Sequence, residues 1–89
     1  MKIKLELFGA SRDFSDKDHI EIDVRDKATL EDLRNEIIEY LDRNFRANES
    51  FIKIVKSSAF CSENNEIISN NYKITKDQKI GIIPPIGGG

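Results

Sequence analysis

Tryptophan is absent from the 89 residues, and cysteine and histidine occur once each. Cys61 alone cannot close an intramolecular disulfide or build a cysteine zinc site, and His19 alone supplies no histidine cluster for a metal. No apolar run approaches the roughly 18 residues a membrane-crossing helix requires, and the opening MKIKLELFGA has no secretory signal pattern. These absences predict a soluble, cytoplasmic protein with no bound metal or cofactor. An excess of one charge is also missing, since 14 Lys+Arg against 16 Asp+Glu leave a net charge of −2. Without a basic stripe the chain lacks the clustered cations whose counterion release drives nucleic-acid binding. Length is the last shortage. At 10.2 kDa the chain makes one domain, burying roughly 60–65% of its unfolded surface. A deep substrate cavity and a full core cannot both be built from so little chain. That argues against a self-sufficient enzyme and for a binding, carrier or subunit role. Hydrophobic residues are sparse at 38% and charged ones abundant at 34%, yet the apolar positions are strongly periodic, so the chain is not disordered.

Residues 1–8 alternate, with Ile3, Leu5 and Leu7 on one side and Lys2, Lys4 and Glu6 on the other, which predicts a half-buried strand. Gly9 to Asp18 is polar and turn-rich and reads as a long hairpin loop, with Phe14 tucked back onto the core. Ile20, Ile22 and Val24 then give a second strand over 19–24, antiparallel to the first. Thr29 and Asp32 have the spacing of a capping box. Leu30, Leu33, Ile37, Leu41 and Phe45 follow at helical spacing and predict a helix over roughly 30–44. Phe51 to Val55 fits a helical turn or a strand equally. Ser58 to Ser62 suits a strand, Glu63-Asn64-Asn65 a turn, Glu66 to Ser69 a second short strand, and Lys79 to Ile83 a final strand stopped by Pro84-Pro85. A hairpin, one main helix and later strands predict an α+β chain with a mixed sheet packed on that helix. If the last strand returns beside the first, this is the β-grasp, or ubiquitin-like, fold; other α+β arrangements use the same elements.

The chain divides into a domain over 1–83 and an exposed C-terminal tail over 84–89. That tail reads Pro84-Pro85-Ile86-Gly87-Gly88-Gly89. Two prolines stiffen the exit, and three glycines without Cβ atoms can thread a narrow channel. Four residues beyond Pro85 span roughly 13 Å when extended, enough to reach a partner's active site. The same residues also fit a frayed terminus.

The ending Ile82-Ile83-Pro84-Pro85-Ile86-Gly87-Gly88-Gly89, with Leu7-Phe8-Gly9-Ala10-Ser11-Arg12 after the first strand and Thr29-Leu30-Glu31-Asp32-Leu33 opening the helix, resembles the small subunit of molybdopterin synthase, a member of the ubiquitin-like sulfur-carrier superfamily. Three departures stand beside the resemblance. Gly87 takes the place of a usual Ser or Thr, Gly81 thins the last strand, and Ser57 to Asn65 lacks the family's Val-Asn. The resemblance implies a sulfur carrier, non-catalytic alone, whose Gly89 carboxylate is adenylated with ATP by an adenylating enzyme of the ubiquitin-activating kind. A persulfide donor then converts it to a thiocarboxylate, and the tail delivers sulfur to a cyclic pterin precursor in the large synthase subunit, within a heterotetramer. Gly88 would pass through a channel that a side chain would block. ATP belongs to the activating partner, and no cofactor is bound by the carrier itself.

Phe8 and Ile83 sit on the polar parity of their strands. Together they predict an apolar docking patch for partners on the open sheet face, with Phe60 as a further member and Arg12 facing either an acidic partner or its own loop. Cys61 reads as a small buried residue because nothing near it in sequence would lower its pKa. His19 reads as solvated, and Glu31, Asp32, Glu36 and Glu39 as a solvated helix face. Three other functions remain open: a sulfur carrier of the thiamine or tRNA-thiolation pathways, a ubiquitin-like modifier of lysines, and a passive β-grasp interaction domain.

Overall fold

The computed structural model describes residues 1–46 and 48–85. Among these, β1 (Lys2–Leu7) and β2 (His19–Asp23) form an antiparallel hairpin in which Ile3 faces Ile22 and Leu5 faces Ile20. The loop between them contains a 3₁₀ helix, Gly9–Phe14, which drops Phe14 fully into the core. Two short strands, β3 (Ala28–Thr29) and β5 (Lys73–Ile74), pair with each other on either side of α1 (Leu30–Phe45) and α2 (Glu49–Ser57). β4 (Ala59–Cys61) and β6 (Gln78–Ile83) complete a four-stranded sheet in the order β2-β1-β6-β4. β6 runs parallel to β1, with Leu5 beside Ile80 and Leu7 beside Ile82. The last strand therefore returns beside the first, as the β-grasp reading requires. No helix among the described residues is long and apolar enough to cross a membrane.

The capping box at α1 forms as its spacing predicts: the Asp32 N–H donates to the Thr29 hydroxyl at 3.2 Å, and the Thr29 N–H donates to the Asp32 carboxylate at 3.0 Å. The next two N–H groups, of Leu30 and Glu31, have no partner inside the helix and donate to the carbonyls of Tyr72 and Asn70. Leu30, Leu33, Ile37 and Leu41 point from α1 onto Ile3, Leu5, Ile80 and Ile82 of the central strands, all essentially inaccessible to solvent.

One open alternative is settled, and three details differ from expectation. Phe51 to Val55 resolves as helix, inside α2, because Asn48 caps it by accepting from the Phe51 N–H. Its apolar side packs Phe51 between Phe14 and Phe45, with ring centroids 5.1 and 5.0 Å apart. The loop after β1 carries a 3₁₀ helix where only turns were expected. Residues 66–69 make a single bridge, Ile67 to Cys61, in place of a short strand. The additional short strand lies instead at Lys73–Ile74, where it braces the start of α1.

Candidate functional site

The sheet has one face under α1 and one face open. Alternation sends Lys4, Glu6 and Phe8, then Lys79, Gly81 and Ile83, to the open side, while Ile80 and Ile82 stay fully buried. Phe8 is 45% exposed and Ile83 38% exposed, so the structure presents both at the surface of adjacent strands, at the end where the tail leaves. Ser11, fully buried, fixes the turn after β1. Its hydroxyl accepts from the Phe8 N–H at 2.9 Å and donates to the Phe8 carbonyl at 2.7 Å.

Gly81 explains how the Phe8 ring lies where it does. A Cβ built on Gly81 would stand 3.0 Å from Phe8 Cε2 and 2.8 Å from Cys61 Sγ. The missing side chain leaves room over β6 for the edge of the Phe8 ring and for the thiol from β4. Gly81 is therefore the floor of the patch rather than a thinned strand. Cys61 is buried, and its bridge partner Ile67, 67% exposed, extends the apolar surface beyond β4. Sequence reasoning missed Gly81 and Ile67. The strand parity of Gly81 was readable, but nothing in the sequence announces the bridge that brings Ile67 alongside.

Phe60 requires correction. It is 1% exposed and faces the core from β4, because its neighbours Ala59 and Cys61 take the open side. The Arg34 guanidinium stands 4.9 Å from its ring centroid while donating to the carbonyls of Val55 and Ser58. Phe60 is thus part of the joint between α1, α2 and β4, and it is not available to a partner. Arg12 lies exposed in the last turn of the 3₁₀ helix and makes no ion pair among the described residues.

Beyond the apolar patch the open face becomes charged. Lys79 Nζ sits 2.9 Å from Glu6 Oε1, and that hydrogen bond raises the lysine above its usual pKa. His19 Nδ1 lies 2.9 Å from Asp18, whose pKa is lowered chiefly by this contact. His19 is thus half-buried and partnered rather than fully solvated.

At the tail exit, Gly9 adopts a left-handed φ of +56°, and a Cβ there would touch the Pro84 ring at 3.9 Å. Pro84 is half-buried and Pro85 exposed, and both line an open groove with Ala10, Lys53 and Ile54. Ile86, Gly87, Gly88 and Gly89, expected to thread a partner and carry the reactive carboxylate, lie outside the described residues.

A mixed sheet gripping one main helix, with parallel central strands and an apolar patch beside the final strand's exit, defines a ubiquitin-like β-grasp domain. Residues 5–89 match the ThiS family, and the chain belongs to that family. Its fold is similar to that of SAMP1, a small archaeal modifier protein of Haloferax volcanii (15% identity, all of both chains covered, TM-score 0.69). It is also similar to a Pyrococcus furiosus protein described as molybdopterin converting factor, subunit 1 (19% identity, 96% of this chain and 98% of that one covered, TM-score 0.66). No curated protein matches the sequence.

Proposed function

We propose that this protein is the sulfur-carrying small subunit of a molybdopterin synthase, acting in the cytoplasm, with Gly89 as its reactive residue. The observation that carries the reading is the sequence Pro84-Pro85-Ile86-Gly87-Gly88-Gly89, which follows β6 where Ile83 and the neighbouring Phe8 are exposed. A carboxylate is a poor electrophile. An adenylating partner would first convert it to an acyl-adenylate with release of pyrophosphate. A persulfide would displace AMP to give an acyl disulfide, and a thiol would cleave that to the free thiocarboxylate. The domain contributes no acid, base or metal to these steps. Its share is recognition, through the apolar patch, and delivery, through a tail stiffened by two prolines and ending in three glycines.

The test is transfer. Protein bearing a Gly89 thiocarboxylate is mixed with a large synthase subunit and the cyclic pterin precursor. The proposal expects loss of sulfur from the tail and formation of the dithiolene; retention of sulfur would overturn the pathway. A second reading, a modifier that joins its tail to lysines, is favoured by the fold's match to SAMP1 over the whole of both chains. It predicts covalent adducts in cells that disappear when Gly88 and Gly89 are removed.

A further inference from the structure

The two edges of the sheet are treated differently. At β4 the backbone is covered by the chain itself: the Ile68 N–H donates to the Phe60 carbonyl and the Ser62 N–H to the Glu66 carbonyl. Further along, the Glu63 carboxylate accepts from the β6 backbone at Lys79. β2, at the other edge, has no such cover among the described residues. Its register with β1 decides which backbone groups are free. Val24 exchanges hydrogen bonds with Met1, and the Leu7 N–H donates to the Asp18 carbonyl. The even-numbered residues of β2 therefore turn their backbone toward β1. The N–H and C=O groups of His19, Glu21 and Asp23 point outward and make no backbone bond among the described residues.

Two shallow depressions, which share Glu21 and Tyr40, run along this edge between β2 and α1. Their walls carry Asp16, Lys17 and His19 at one end and Asp23, Glu36 and Arg43 at the other. Lys4 and Lys2 of β1 stand directly opposite Glu21 and Asp23, yet neither acid forms an ion pair among the described residues. A strand laid on this edge would have alternate side chains beside His19, Glu21 and Asp23. A second copy of this chain is disfavoured as that strand, because antiparallel pairing about Glu21 would oppose two glutamates.

We infer that the free edge of β2 is a strand-addition site for an extended partner segment with Lys or Arg at alternating positions, whose intervening residues lie toward Tyr40 and Ile20. Backbone hydrogen bonds to His19, Glu21 and Asp23 hold the segment, and the carboxylates select its charge. β1 separates this edge from the tail-bearing β6, and neither depression along it is lined by Phe8 or Ile83.

The probe is an acetylated, amidated Lys-Val-Lys-Val-Lys peptide, titrated into the full chain at low ionic strength and followed by amide shifts and hydrogen exchange. The expected result is slowed exchange at Glu21 and Asp23, and affinity at least about tenfold above that of Glu-Val-Glu-Val-Glu, a gap that salt narrows. The double variant Glu21→Lys/Asp23→Lys, at exposed positions, reverses the preference. Glu21→Pro removes an outward N–H while sparing the ladder to β1; with its melting temperature retained, it abolishes binding of the Lys peptide. Equal response to both peptides, shifts centred on Phe8 and Ile83, or binding that survives Glu21→Pro in a folded protein would each overturn the inference.

Discussion

Phe8, Gly81 and Phe60 show how a single side chain's facing decides its role. Phe8 is nearly half exposed, so Phe8→Asp should cost about 1 kcal/mol of stability, well short of a core substitution. Partner binding should weaken by about 2 kcal/mol, or roughly thirtyfold, the scale of an aromatic anchor. Titration calorimetry beside a thermal melt separates the two effects, and a collapsed melt would place Phe8 in the core. Gly81→Ala puts a methyl into the 2.8 and 3.0 Å gaps to Cys61 and Phe8. It should cost about 1–3 kcal/mol through overpacking and weaken binding by tilting the Phe8 ring. Adding Cys61→Ala should recover part of the loss, and additive effects in that double-mutant cycle would deny the shared contact. Phe60→Ala removes a ring with almost no exposure and should cost about 3–5 kcal/mol in denaturant unfolding.

Among the elements, the start of α1 is the most informative. Its Thr29 cap is satisfied on both sides, so Thr29→Ala should cost about 1 kcal/mol. The bond from the Thr29 N–H holds Asp32 below its ordinary pKa of 3.8. A carboxylate depressed in the folded state stabilises above its unfolded pKa and loses that contribution as pH falls through the folded one. Unfolding followed from pH 6 to pH 2 should therefore show an acid-side loss that shrinks in Asp32→Asn. An unchanged acid limb would contradict the cap's role. This helix was legible because the signals that make it are local: a cap at fixed spacing and five apolar residues at helical period. The first and last strands were legible for the same reason, but their pairing was one of several arrangements those elements allow, and the parallel register of β1 with β6 selects it. What escaped was set by distant partners. β3 and β5 are two residues each and become strands only by meeting across more than forty residues of chain. The residues of α2 have a short apolar pattern that fits either period, and the Asn48 cap decides the matter. The facing of Phe60 depended on β4's register against β6, which no local pattern contains. Of the candidate site, Phe8 and Ile83 were readable from alternation, whereas the bridge that adds Ile67 was not.

At the scale of the molecule, the proposed function divides the work between a body that recognises and a tail that reacts. Among the described residues, every buried apolar side chain belongs to 1–83. Removing Gly88 and Gly89 should therefore leave the thermal melt unchanged while ending sulfur transfer.

The most direct test of the carrier account is fragment mass spectrometry of the C-terminal peptide. The protein is first incubated with ATP, an adenylating enzyme of proven competence, a persulfide donor and a thiol. The account predicts one terminal oxygen replaced by sulfur, with fragment ions placing the change on Gly89 rather than on oxidised Met1 or Cys61. A Gly89 carboxylate left unmodified under those conditions would contradict it.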